Sequence, residues 1–272
     1  MKSLNYLKTN NRGKNKAKEI LEEIGFDEIT ELSNEDLIRG FGIIYIFEHL
    51  DNADGKIIRG KKRTIIKVNS SIPYPERIRF VLAHELGHFF LHDKLELHTD
   101  NSNTLNWFNV ENQAKRGIQE FEANDFASEL LMPEKIFREF VIGKYFSPNL
   151  IKELSIRFKT SLTSIVFRLI TLDICPLFIV FINNGIVKYW RKSSDLKCWV
   201  EDITKLSPPE DSVAAEYIAA DYDFIYTGKE KAQEISRSTW FKLGDYQEDS
   251  DFMEYCIPNK QYKTIISIIW EA

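Results

Sequence analysis

Residues 81–92 read VLAHELGHFFLH, a run that is apolar on nearly every side of a helix and yet carries three histidines and a glutamate. A helix sleeved in Phe80, Val81, Leu82 and Ala83 on one flank and Phe89, Phe90 and Leu91 on the other has to lie between packed layers. Polar groups taken out of water there require hydrogen-bond partners or an ion. The turn residues Ser70, Ser71, Pro73 and Pro75 precede this segment, so the helix is predicted over Glu76–Leu91. Any fold open to the chain must bury this helix and satisfy its polar side chains at once.

His84 and His88 stand four apart with Glu85 between them, the pattern HExxH. Helix positions four apart put their Cβ atoms about 5–6 Å from each other on one face, close enough for two imidazoles to share an ion. Zinc accepts imidazole nitrogens at about 2.0–2.1 Å, and Glu85, one step round the helix, can reach a water at the open position without ligating the metal. Composition alone produces HExxH about once in a hundred chains with this many histidines, and the apolar sleeve is what a desolvated site needs.

A third ligand must come from elsewhere. The longer pattern HExxHxxGxxH fails, because Leu91 holds the glycine position and Lys94 the last histidine position. His92 lies about 80° around the helix from His84, which suits a structural hydrogen bond at the helix end; His98 is an alternative ligand. A carboxylate from the next helix would complete a site of two histidines and one glutamate. The stretch QEFEANDFASELLMP, Gln119–Pro133, offers Glu120, Glu122 and Glu129. Ala123, Phe126, Ala127 and Leu130 form its apolar face, with Glu120 and Glu122 flanking that face at similar angles, so periodicity leaves the choice open.

At 272 residues the chain holds one large or two modest domains, and a hydrophobic fraction of 43% excludes fibrous and disordered classes. The net charge of −5 leaves no cationic excess for non-specific nucleic-acid binding. Cys175, Cys198 and Cys256 are widely spaced and form no CxxC pair, pointing to a reducing, cytoplasmic compartment. The N-terminal segment lacks the apolar centre of a secretory signal. Ile165–Ile182, the most apolar stretch, is broken by Arg168, Asp173 and Pro176, short of the roughly twenty residues that span a membrane.

An α+β fold is expected. One helix is predicted over Asn15–Ile24, followed by a small antiparallel sheet from Ile43–Phe47, Lys56–Arg59 and Arg63–Val68. Thr99–Gln113 is polar around Trp107 and Phe108, and is read as a loop that is either a lid or substrate contact or a plain insertion. Helices follow over about Gln113–Leu131, Asn149–Phe158 and Leu162–Leu172. Beyond Pro176 the pattern turns to strands: Leu177–Ile182, a turn at Asn183, Asn184 and Gly185, then Ile186–Trp190. A helix near Ser212–Ala220 and strands near Phe252–Ile257 and Tyr262–Trp270 complete the chain. Two domains are expected: residues 1–172, mainly helical with a small sheet, and residues 173–272, a small α+β unit. Tyr189, Trp190, Trp199 and Trp240 are read as core rather than as a pocket lining. The basic start, Lys2, Lys8, Arg12, Lys14, Lys16 and Lys18, is read as a solvated arm.

HELGHFFLH followed by EANDFASELLMP closely resembles the ImmA/IrrE family of metallopeptidases. The resemblance covers residues 15–172 and includes the strand ending in IIKVN before the site helix. It implies a zincin-like domain in which Glu122 joins His84 and His88 as the third zinc ligand, with manganese able to substitute in vitro. The stretch between His88 and Glu122 is long for the family. With Glu85 as general base the expected reaction is peptide hydrolysis. The resemblance further implies a protein substrate, a helix-turn-helix repressor of the Xre type, cut during a bacterial stress or mobile-element response. In some members the C-terminal part is a GAF-like sensory domain. Residues 177–272 match no such motif, and a sensory or partner-binding role is expected for them.

Two other readings compete. Asn149–Phe158 and Leu162–Leu172 resemble a helix-turn-helix, but LTSIVFRLITL offers only Arg168 for reading bases, so direct nucleic-acid binding is not expected. A non-proteolytic zinc-binding regulator would have no use for Glu85 beside an open coordination position.

Overall fold

A computed structural model of the chain describes residues 11–27, 33–93, 117–226 and 231–272. Two compact units divide it: Met1–Phe140 with Ile156–Ser161, and Val141–Ser155 with Leu162–Ala272. The segment 99–113, His98, Lys2 and Lys8 lie outside the described residues.

The first unit opens with α1 (Arg12–Glu23), which buries Gly13, Ala17, Ile20 and Leu21 on one stripe. The chain leaves it through Gly25 at φ +66°, a left-handed conformation that costs glycine little. In α2 (Asn34–Gly40) the Ser33 hydroxyl caps the helix by accepting from the backbone N–H of Asp36 at 3.3 Å. Strands β1 (Ile44–Glu48), β2 (Gly55–Arg59) and β3 (Thr64–Asn69) form a sheet in the order β1-β3-β2. The expected antiparallel pairing holds for β2 and β3, while β1 runs parallel to β3 with Ile44 opposite Ile65. Period-two patterning fixes which face a residue takes but carries no strand direction, so this difference was not readable.

Helix α3 (Pro75–Leu91) starts on a proline, whose missing N–H is one the first turn leaves unpaired anyway. Helix α4 (Ile118–Leu131) starts after Gly117 at φ +85° and ends just before Pro133. Two glycines set how close these helices lie. A Cβ on Gly87 of α3 would sit 2.9 Å from Ala123 Cα of α4, and one on Gly13 of α1 would sit 2.1 Å from the Glu122 carbonyl oxygen. Only a residue without a side chain allows the backbones that near. Helix α5 (Glu134–Val141) follows; most of α6 (Pro148–Phe158) and all of α7 (Leu162–Thr171) belong to the second unit. Arg168 on α7 is 5% exposed, so this helix does not hold it out as a base-reading side chain.

In the second unit β4 (Phe178–Asn183) and β5 (Ile186–Lys192) make the expected hairpin, with Asn184 at φ +50° and Gly185 at +72° in its turn. With β6 (Ala232–Ser236), β7 (Asp251–Asn259) and β8 (Thr264–Glu271) they form an antiparallel sheet in the order β5-β4-β8-β7-β6. Helix α8 (Val213–Ala219), capped by Ser212, buries Val213, Ala214 and Tyr217, and α9 (Arg237–Trp240) contributes Trp240. Phe178, Val180, Ile182, Phe252, Ile265 and Ile269 complete this core. Tyr189 and Trp240 are buried, as expected of core aromatics, whereas Trp199 is 71% exposed. Among the described residues no helix is long and apolar enough to cross a membrane.

Candidate metal centre

The close crossing of α3 on α4 brings three buried side chains to one point. His84 Nε2 and His88 Nε2 are 3.0 Å apart, and the Glu120 carboxylate spans the pair, with Oε2 3.2 Å from His84 Nε2 and Oε1 3.2 Å from His88 Nε2. Among the described residues, His84, His88 and Glu120 are the group whose ligand atoms all converge within reach of a single ion. Ligand atoms at 2.0–2.1 Å from a tetrahedral zinc are about 3.3 Å from one another, and the nitrogen–nitrogen separation and each nitrogen's distance to its carboxylate oxygen are close to that value.

The outer nitrogens of both imidazoles are occupied. His84 Nδ1 lies 3.0 Å from Asn124 Oδ1, an acceptor, and therefore donates. His88 Nδ1 lies 3.0 Å from His92 Nδ1, and His92 Nε2 lies 2.9 Å from Glu122 Oε2. With the carboxylate accepting from His92 Nε2, the His92 Nδ1 lone pair is left to accept from His88 Nδ1. Both Nε2 atoms then turn lone pairs toward each other and toward Glu120. Three such groups repel in a buried site unless a cation lies among them, so the donor set fits a divalent metal.

Burial opposes charge throughout this cluster. Burial lowers the pKa of His88, with the Glu120 contact opposing it. Burial likewise lowers His92, opposed by Glu122. Burial disfavours ionised Glu120, but hydrogen bonds and positive charge from His84 and His88 outweigh that penalty and hold its carboxyl well below the usual carboxylate range, so its ionised form depends on a cationic neighbour.

The structure separates the glutamates that periodicity left open. Glu120 is on the imidazole pair. Glu122, the residue that the family resemblance implied, places Oε2 on His92 and 3.3 Å from Arg12 Nη1. Glu129 Oε1 accepts from the backbone N–H of Glu134, at the start of α5. Glu120 and Asn124 are one helical turn apart on α4 and reach the same pair of histidines, whereas Glu122 faces the adjacent direction.

Glu85 is buried beside His84 on α3, and the start of β2 passes directly over it. A Cβ on Gly55 would come 2.7 Å from Glu85 Oε1 and 2.5 Å from Val81 Cγ1, so the bare backbone at Gly55 is what leaves room for the carboxylate. The far end of β2 holds the other end of the same helix. Arg59 Nη2 lies 2.9 Å from the His88 carbonyl, 2.7 Å from that of Phe89 and 2.7 Å from that of His92, so it gathers carbonyls at the helix C-terminus, of which that of His88 also accepts from the His92 N–H. Its guanidinium also stacks over the Phe89 ring at 5.2 Å. No sequence signal singled out Arg59, because its role depends on strand register.

Comparisons with known proteins point to the same region. The family model of the IrrE N-terminal-like domain matches residues 38–169. Metallopeptidase ImmA of Bacillus subtilis (strain 168) is 35% identical over 101 residues, which is 35% of this chain and 52% of that protein. The chain thus matches about half the length of this curated relative. A solved structure of a Mycobacterium tuberculosis transcriptional regulator superposes with a TM-score of 0.58 at 12% identity, over 96% of this chain and 76% of that one, a likeness of fold.

Proposed function

We propose that this chain, a member of the ImmA/IrrE family through residues 38–169, is a zinc-dependent endopeptidase that cuts one peptide bond in a regulatory protein. The observation that carries this reading is the convergence of His84 Nε2, His88 Nε2 and the Glu120 carboxylate, with contacts of 3.0–3.2 Å, and Glu85 on the same helix. His84, His88 and Glu120 would hold the ion, with Glu120 in the role that the family resemblance gave to Glu122. When bound, zinc supplies a Lewis acid for the scissile carbonyl and lowers the pKa of the attacking water toward 7. Glu85 is the proton carrier: its carboxylate takes the water's proton and returns it to the leaving amine. The apolar walls of α3 exclude bulk water, which strengthens every charge interaction inside.

The substrate in this reading is a helix-turn-helix repressor of the Xre type, cleaved in the cytoplasm during a stress or mobile-element response. The three cysteines, all free and buried, suit a reducing compartment. Residues 1–172 are the catalytic domain and residues 173–272 a sensory or partner-binding domain.

Mixing the purified chain with a candidate repressor and zinc should give a single cut that a chelator blocks. Glu85→Gln keeps the metal ligands and the side-chain shape while removing the base. It is expected to bind zinc at unchanged stoichiometry and to cleave about 10²–10⁴-fold more slowly. Cleavage by Glu85→Gln at the rate of the unaltered protein would refute the assignment.

A further inference from the structure

Behind the ligand triangle runs a line of contacts that ends at the N-terminal helix. His88 Nδ1 meets His92 Nδ1 at 3.0 Å, His92 Nε2 meets Glu122 Oε2 at 2.9 Å, and Glu122 Oε2 meets Arg12 Nη1 at 3.3 Å. Arg12 Nη2 also donates to the Leu91 carbonyl at 2.7 Å, which ties α1 to the last turn of α3. His88, His92 and Glu122 are all buried. With both rings neutral, the two imidazoles and the carboxylate admit one consistent direction of donation, from His88 to His92 to Glu122, and that direction fixes His88 as the tautomer with a free Nε2 lone pair.

We infer that His92 and Glu122 are positioning residues for the metal: His92 orients the His88 imidazole and passes to it the negative charge of Glu122, raising its basicity as a ligand. The inference deepens the metallopeptidase reading and rests on it. A carboxylate accepting a ligand histidine's outer N–H is a recurrent way to fix ring orientation, and losing such a partner costs about 10–100-fold in metal affinity. Here a second imidazole is interposed, so Glu122 can act on the metal only through His92. His84 is served separately by the neutral amide of Asn124.

Direct ligation, relay and simple packing make different double-mutant cycles. The dissociation constant for cobalt or zinc is measured by competition with a chromophoric chelator on the full chain for His92→Phe, Glu122→Ala, the double variant and His92→Gln, with folding checked by circular dichroism. The relay is expected to weaken binding about 10–100-fold in each single variant at unchanged stoichiometry. The double variant should be no weaker than His92→Phe alone, and His92→Gln, which keeps an acceptor for His88 Nδ1, should recover most of the loss. Cobalt absorption bands at saturation should keep the unaltered protein's pattern, since no ligand is lost. Affinities that multiply in the double variant, single variants with unaltered affinity, or a changed cobalt spectrum in Glu122→Ala would overturn the inference. Absence of metal binding by the unaltered protein would instead overturn the metallopeptidase reading, and the relay with it.

Discussion

Glu120→Ala should bind zinc at least about 10³-fold more weakly than the unaltered protein, beyond the 10–100-fold typical of groups behind the ligands. The variant removes one of three ligand atoms and the only charge among them. His84 and His88 are neutral donors, so an ion left with them would carry its full double charge in a buried, apolar site. The apo protein should not suffer in proportion. There the contacts of Glu120 with His84 and His88 outweigh its burial, so the variant loses some stability, but none that depends on the metal. Zinc at a thousand times the dissociation constant stabilises a protein by about 4 kcal/mol. Thermal unfolding with and without zinc should therefore show a large metal-dependent shift in the unaltered protein and nearly none in Glu120→Ala. Calorimetric titration gives the affinity directly, and near-normal zinc binding by the variant would remove Glu120 from the site.

A second large effect is expected in the C-terminal unit, at Glu254. Its carboxylate is fully buried and accepts from the backbone N–H groups of Val213 and Ala214 at 2.9 and 3.1 Å, from Trp240 Nε1 at 3.1 Å and from the Ser267 hydroxyl at 2.6 Å. One side chain on β7 thus ties α8, α9 and β8 together. Glu254→Leu takes the acceptor from these four N–H and O–H donors and from the Cys256 thiol, the four each worth about 1–3 kcal/mol when orphaned, offset in part by relief of the carboxylate's own burial. The net loss should be about 3–5 kcal/mol, read from denaturant unfolding with a probe in the C-terminal unit. Burial raises the Glu254 pKa, with the four donors opposing it. The folded unit therefore holds this proton more tightly than the unfolded chain does, so stability contributed by this group falls as pH rises from the ordinary carboxylate range through the folded value. Glu254→Gln cannot ionise, and its stability should be flatter across that range. A Glu254→Leu variant as stable as the parent would show that the cluster is dispensable.

Much of this arrangement is legible in the sequence. HExxH places His84, Glu85 and His88 on one helix because spacing by four is a local property of helices. The turn at Asn184 and Gly185 likewise announces the β4–β5 hairpin through backbone chemistry alone. What escaped depends on how elements meet. Glu120 and Glu122 flank the apolar face of α4 symmetrically, and the rotation that aims Glu120 at the imidazoles is set by Gly87 seating on Ala123, a tertiary contact. Asn124 carries the missing hint: it lies one turn beyond Glu120, and a polar residue at that spacing marks which side of α4 faces polar partners. Arg59, whose partners are helix carbonyls 29 to 33 positions away, has no local signature at all. Strand β6 escaped because AQEIS carries too few apolar residues to alternate, and it pairs only at the sheet edge.

The central claim is that one divalent ion is held by the two HExxH histidines and Glu120. An anomalous difference map, collected at the zinc edge from crystals of the full chain grown with zinc, tests it most directly. The expected result is a single strong peak about 2.0–2.1 Å from His84 Nε2, His88 Nε2 and a Glu120 oxygen, with Glu122 still hydrogen-bonded to His92. A peak between His92 and Glu122, or none near α3 at all, would contradict it.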